Sequence, residues 1–254
     1  MLTKAKSHLF LFSQLVLRDF KKKYKRTYLG MVWSVLAPLL TLLIMRLVFT
    51  QFFGNSIEHY TTFLFCGNIV FSFFSDATGS GMGALMNNAD IFSKINVPKY
   101  LFLLSSIVSS LINFALTFLV FLAFCILDGV TLHLSVLSLL LPILCLILFN
   151  VGIGLILSAL FLFFRDVQYL WSVFTLLLTY LSAIFYDPSE LGAVERNFYL
   201  NPLFTYIKFF RIAVLDGRLP PTWHVLLSVF YALAFFAIGV LIYQKNNHRF
   251  LYYV

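Results

Sequence analysis

Charge is scarce in this chain: Asp, Glu, Lys and Arg make up 11% of its 254 residues, while apolar residues make up 61%. Soluble domains carry about a quarter charged side chains, so the mean hydropathy of +0.93 excludes an ordinary soluble protein. Cysteine is scarce too. Cys66, Cys125 and Cys145 each lie inside an apolar run, with no CxxC spacing and no neighbouring His. That pattern reads as small buried residues, not as a metal site. The histidines are scattered, His8 near the start and His59, His133, His224 and His248 near the ends of apolar runs. No His/Asp/Glu constellation converges, which argues against a membrane-embedded acyl- or phosphotransferase.

Two further absences bear on energy and architecture. There is no GxxxxGK[ST] loop, so ATP, if it drives this protein, is handled with its Mg ion by a separate subunit, and no cofactor is expected on this chain. Strand-like alternation is missing, which removes a β-barrel. A short apolar segment with an A-x-A-like cleavage site is also missing, so the first long apolar run is expected to stay in the mature protein.

What the chain does have is long apolar runs. Six are candidates to cross a membrane: about 29–53, 61–85, 99–127, 135–163, 168–186 and 222–243. At 1.5 Å per residue each reaches across a hydrocarbon core of about 30 Å, and helices are the default because they satisfy their own backbone in lipid. The expected fold class is therefore an all-α integral membrane protein with six transmembrane helices. It has two parts, a cytoplasmic interfacial helix over 1–28 and a membrane domain over 29–254.

The basic residues set the orientation. Eight Lys and Arg lie in 1–28, one in 87–98, one in 164–167 and two in 245–254. The facing loops 54–60 and 128–134 have none, and 187–221 has four. Both termini are then expected on the cytoplasmic side. This distribution of the +8 net charge suits anionic lipid headgroups, not nucleic acid.

The densest basic stretch is RDFKKKYKRTYLGMVWSVLAPL, residues 18–39. As a helix, the preceding segment puts Leu9, Phe12, Val16, Phe20 and Tyr24 on one face, with Arg18, Lys21, Lys22, Lys25 and Arg26 on the other. Lys23 breaks the apolar stripe and has to snorkel. Such a helix lies in the membrane interface. Its charge serves either as a positive-inside anchor or as a collar that handles a lipid-borne anionic group.

Other polar features stand out against the oil. Residues 87–98, NNADIFSKINVP, form a short polar element that a partner can grip, with Asn88 or Asp90 capping a brief helix and Pro98 opening the next span. GSGMG at 79–83 and GIG at 152–154 indicate close helix packing or a flexible turn. Arg165 and Asp166 either bond to helix ends or solvate their turn. Arg46 either snorkels outward or faces a hydrated path; Asp76 either caps a break before GSGMG or faces a cytoplasmic vestibule. In 187–221, Asn201-Pro202 marks a helix start and Asp216-Gly217 its stop. That helix, with Phe204, Ile207 and Phe210 beside Lys208 and Arg211, is too short and charged to span. A re-entrant or interfacial helix is expected there, before the last span.

With these residues in view, 18–39 resembles the N-terminal signature of the polysaccharide-exporting permeases of the ABC-2 class. It carries a basic interfacial helix with Arg18, Asp19 and Tyr24, a Leu29-Gly30 turn, then Trp33 and Pro38. NNADIFSKINVP resembles that family's coupling segment, FFRDV its short loop between spans four and five, and LNPLFTYIKFFRIAVLDG the helix after span five. One departure is VPK at 97–99, where relatives often have an aromatic residue, Pro and Arg. The resemblance implies a homodimer with two copies of a nucleotide-binding ATPase subunit, in the bacterial inner membrane among membrane lipid. It implies a substrate of undecaprenyl-pyrophosphate-linked glycan, O-antigen first, with teichoic acid or capsule as alternatives. An ABC-2 exporter of small hydrophobic molecules stands as a further alternative. Arg18, Lys21, Lys22, Lys25, Arg26, Leu29 and Gly30 would receive the lipid pyrophosphate. Trp33, Phe49, Phe53, Tyr169, Trp171 and Tyr180 would line the conduit. Asn88, Asp90, Ile91, Phe92 and Lys94 would couple to the ATPase. Asn201, Pro202, Phe204, Lys208 and Arg211 would form the outer gate.

Overall fold

Apolar runs this long leave the backbone only one economical solution, and every regular element among the described residues is helical. The computed structural model describes residues 2–24, 29–53, 57–94, 97–131 and 133–252. Lys25 and Arg26 of the expected collar lie outside them, and nothing is described of the Phe53 side chain. In chain order the helices are α1 (Leu2–Tyr24), α2 (Trp33–Phe53), α3 (Tyr60–Gly83), the short α4 (Ala89–Phe92), α5 (Tyr100–Leu127), α6 (Leu140–Phe163), α7 (Val167–Leu181), the short α8 (Glu195–Phe198), α9 (Pro202–Val214) and α10 (Thr222–Asn246). A 3-10 turn over Gly30–Val32 leads into α2, and another over Leu134–Leu139 leads into α6.

Among the described residues, three helical stretches are each long and apolar enough to cross a membrane: Tyr100–Leu127, Leu134–Phe163 and Thr222–Asn246. Trp33–Phe49 and Val167–Leu181 are apolar but shorter. The protein is thus an all-α membrane protein.

Packing explains how α3 can be more polar than α5 and α6. Sixteen of its 24 residues are buried, because α5 and α6 flank it and α2 and α9 also pack on it. Inside a protein shell, Thr62, Asn68 and Thr78 face side chains and backbone instead of lipid, which lowers the cost of their polarity. The GSGMG stretch does not break this helix, which continues to Gly83. Asp76 therefore caps no break. A methyl group on Gly81 would meet the Gly154 backbone of α6 at ordinary contact distance.

The tightest junction joins α6 to α10. A methyl group on Gly152 would collide with the Phe235 carbonyl, and one on Gly239 with the Gly152 carbonyl. Small residues here let two backbones touch, which is how helices gain dispersion contact without help from water. The expectation of close packing at 152–154 holds.

Among the long helices α7 is the exception to burial: none of its side chains is buried. It ends at Leu181, short of the expected 186, because Ser182 leaves the helix and Ala183 takes a left-handed φ of 49°. α9 is the opposite case. Asn201 accepts from the Leu203 amide at 3.0 Å, Pro202 fills the first turn, and Gly217 turns the chain at φ 63°. Start and stop fall where Asn201-Pro202 and Asp216-Gly217 indicate. Eleven of its thirteen residues are nonetheless buried, so this helix is sunk into the bundle instead of resting one face on it.

Candidate functional site: a basic clamp at one end and a capped helix end at the other

The structure gathers α1, the 86–94 segment, the start of α5 and the end of α10 at one end of the bundle. Lys99 closes that end by donating from Nζ to the Asn247 carbonyl at 2.8 Å, with the Phe92 and Phe250 rings beneath the ammonium at 5.7 and 5.5 Å. Burial holds this ammonium below the ordinary lysine range.

α1 is docked, not merely adsorbed. Leu15 is its buried apolar residue and packs into the core, Leu11 and Phe12 pack beside it, and Leu9 and Phe10 are exposed. Leu15, which is not part of the apolar stripe through Leu9, leads the side that meets the protein, while Leu9 of that stripe stays exposed. On the same side Asp19 accepts from the Ser105 hydroxyl of α5 at 2.7 Å and from Arg18 at 2.7 and 3.0 Å. Arg18 also donates to Asn88 Oδ1 at 2.7 Å, and Asn88 donates to the Ala84 carbonyl at 2.8 Å. Asn88 begins α4 but makes no side-chain cap to it; its amide is engaged by Arg18 and Ala84 instead.

A second tie holds the end of α1. Lys23 reaches both carboxylate oxygens of Asp76 at 2.7 Å. Two anomalies of the sequence, a lysine in an apolar stripe and an aspartate inside a span, thus resolve each other. A cavity of about 510 Å³ beneath α1 is lined by Arg18, Lys22, Ser80 and Asn87. It meets a second of about 400 Å³ lined by Trp33, Pro38, Phe73 and Phe114. Lys23, Asp76 and Ser110 border both. Lys21 and Lys22 are exposed, Leu29 is exposed, and Gly30 takes a left-handed φ of 51° that suits a residue without a Cβ.

In the 87–94 segment, Phe92 is buried against Phe102 and Ile91 is half-buried, whereas Asp90 and Lys94 are exposed. The buried pair anchors the element; the charged pair is what a partner can reach.

The aromatic residues divide. On α7, Tyr169 (66% exposed) and Tyr180 (58%) share the outer face, three turns or about 16 Å apart. Trp171 points the other way, packing near Phe74 and Phe174 at 5.9 and 5.5 Å. Phe49 stacks on Phe185 at 4.3 Å, with Tyr180 at 6.1 Å from the same ring. Trp33 is partly exposed, on the wall of the smaller cavity. Arg46 is exposed on α2.

At the opposite end, Arg211 is 4% exposed. Its Nη2 donates to the Ala183 and Ile184 carbonyls, both at 2.9 Å, and its guanidinium lies 3.4 Å from the Phe63 ring centre. Burial lowers its pKa to about 10, which leaves it charged at neutral pH. Lys208 approaches Asp187 at 3.5 Å and Glu195 at 3.9 Å. Burial alone would raise the Asp187 carboxyl, but the Ser189 amide and the Lys208 ammonium outweigh it and hold it below its ordinary value. Phe204 is buried against Phe198 and Tyr199.

Asp19, Ser105, Tyr60 and Ala183 carry none of the expected site roles, yet they hold these ends together. Their signal in sequence is thin: single Ser, Tyr and Ala residues in apolar surroundings look like any others.

The chain belongs to the ABC-2 type transporter family, which it matches over residues 11–215. Two Klebsiella pneumoniae proteins named O-antigen export system permease protein RfbA are each 30% identical to it, over 95% of both chains. The RfbA permease of Myxococcus xanthus is 28% identical over 83% of this chain and 82% of its own. The polysialic acid transport protein KpsM of Escherichia coli is 24% identical over 93% of each.

Proposed function

We propose that this chain is the transmembrane subunit of an ATP-driven exporter of lipid-linked polysaccharide, of the O-antigen class, in the bacterial inner membrane. The observation that carries the reading is similarity from end to end: 30% identity over 95% of the chain to permeases named for O-antigen export. The basic end of the bundle agrees with it. Arg18, Lys22 and Lys23 line the joined cavities, with Lys21 exposed next to them in sequence and Trp33 and Pro38 on the apolar wall, so a diphosphate on a hydrocarbon chain finds cations next to apolar walls.

In this reading two copies face each other across α2 and α7, whose exposed faces leave Tyr169 and Tyr180 toward the passing sugar. Aromatic rings suit the C–H faces of sugars, and neighbouring polar groups suit their hydroxyls. Two ATPase subunits on the cytoplasmic side, with ATP and Mg, press on the 87–94 segment through Asp90 and Lys94, and both termini lie on that side. The chain itself performs no hydrolysis. The helix α9, entered through Asn201 and Pro202 and carrying Phe204, Lys208 and Arg211, closes the outer end.

Deleting the gene in its host and restoring it on a plasmid tests this. The expected result is loss of surface polysaccharide with lipid-linked glycan accumulating inside, both reversed by the plasmid; intact surface polysaccharide in the deletion overturns it. A capsule substrate is the second reading, favoured by the polysialic acid relative at lower identity. Which surface polymer disappears decides between them.

A further inference from the structure

Helix ends leave carbonyls without partners, and the outer end of α7 is provided for to an unusual degree. Tyr186 donates to the Tyr180 carbonyl at 3.0 Å, and Asn201 to the Leu181 carbonyl at 3.2 Å. Arg211 donates to those of Ala183 and Ile184, and Tyr60 to that of Phe185 at 2.8 Å. The donors come from α3, from the start and body of α9, and from the turn itself. At the other end of α7, Asp166 makes no side-chain cap.

This asymmetry falls on the one long helix without a buried side chain. Packing therefore holds α7 weakly along its length, and polar bonds hold it at one end. The turn 183–185 is also where the backbone pays a conformational cost, since Ala183 sits at φ 49°. Such a geometry persists only where its surroundings impose it. Arg211 is committed to these carbonyls with no acidic partner in contact, and its Nε and Nη1 have no hydrogen-bond partner among the described residues. A buried cation is costly unless it is paired. Here it is compensated by the carbonyls at the helix end, where positive charge is favoured, and by the Phe63 ring.

We infer that Arg211 is a positioning residue for export: with Tyr60 it fixes the outer end of α7, so that the helix carrying Tyr169 and Tyr180 moves as one arm about the 183–185 turn. Arg211 then acts on the passage through α7 and does not touch the substrate. This rests on the exporter reading only for its consequence; the anchoring itself stands on geometry.

The test uses the full chain in lipid nanodiscs, with hydrogen exchange read by mass spectrometry, alongside export in cells. Arg211→Met removes the donors at similar length, Arg211→Lys keeps charge and donors, and Tyr60→Phe removes one hydroxyl. Arg211→Met is expected to speed exchange across 178–187 by tenfold or more and to lower export comparably. Exchange at the α3 core is expected to stay slow. Arg211→Lys is expected to recover most of both, and Tyr60→Phe to give a smaller acceleration confined to the same segment. Unchanged exchange at 178–187 in both Arg211→Met and Tyr60→Phe overturns the inference, as does loss of protection spread evenly over α3, α7 and α9. If Arg211→Met does not fold, Tyr60→Phe decides alone. The exchange measurement needs no substrate, so its failure is distinct from failure of the exporter reading.

Discussion

Arg18 and Asn88, seventy positions apart, meet at 2.7 Å and so tie the N-terminal helix α1 to the short polar segment before α5. Asp19 and Ser105 continue the connection into α5. A push on one element is felt by the others because the bonds are short, partly buried and charge-assisted.

Breaking that connection should separate ATP use from transport. Arg18→Gln strips Asp19 of its cation and leaves Asn88 Oδ1 without its donor, a loss of about 1.5–3 kcal/mol for a hydrogen bond to a charged group. With the partner ATPase present, hydrolysis is expected to continue while export falls at least tenfold. A double-mutant cycle with Asn88→Ala checks that the two residues act together: the pair should cost clearly less than the sum of the single changes.

The Lys23–Asp76 pair should behave differently. Its side chains are 39% and 35% exposed, so water and salt screen it, and its worth is at most about 1 kcal/mol. Asp76→Asn is expected to leave folding nearly unchanged in a thermal melt yet free Lys23 for anionic lipid. Binding of phosphatidylglycerol by native mass spectrometry should rise, and Lys23→Gln should lower it.

Much of this architecture is legible in the residues, and the reason is physical. Apolar runs of helix length have few alternatives in lipid, and Asn201-Pro202 with Asp216-Gly217 encodes its own start and stop. The basic stretch before Leu29 is likewise plain. What stays hidden is whatever depends on rotation and depth. Leu15, off the apolar stripe, is the residue that meets the protein, on the side where Asp19 reaches Ser105, and Trp171 turns inward while Tyr169 turns out. Arg211 looks like a surface cation on a short amphipathic helix; its burial goes with two carbonyls, in a turn 28 and 27 residues away, that accept from it. Hydrophobic periodicity carries no information about such long-range partners.

Backbone contact between α6 and α10 yields a steric prediction. Gly152→Ala or Gly239→Ala places a methyl group against main chain that cannot yield without moving a helix. Overpacking of this kind costs about 1–3 kcal/mol, so the melting temperature should fall in either variant. Gly81→Ala meets only ordinary contacts and should melt like the wild type.

Acid, not a change within the neutral range, should loosen the end of the bundle that holds Asp187. The Asp187 carboxyl is held below its ordinary value, so its contribution is complete above about pH 4, near the unfolded-state value. It is lost as pH falls through the lower folded value. Hydrogen exchange around 187–195 should therefore be flat from pH 6 to 8 after correction for intrinsic rates. Limited proteolysis with an acid-active protease should reveal opening only below about pH 4, and Asp187→Asn should show that opening at all pH values.

The central claim is that this chain passes a lipid-linked glycan through the membrane with energy supplied by another subunit. The direct measurement places the chain and its ATPase partner in vesicles containing the labelled lipid-linked glycan, and follows exposure of the sugar to a membrane-impermeant lectin on the far side. The account predicts exposure that requires ATP, the partner subunit and the basic residues Lys21 and Lys22 together. ATP hydrolysis by this chain alone, or glycan crossing at the same rate without ATP, would contradict it.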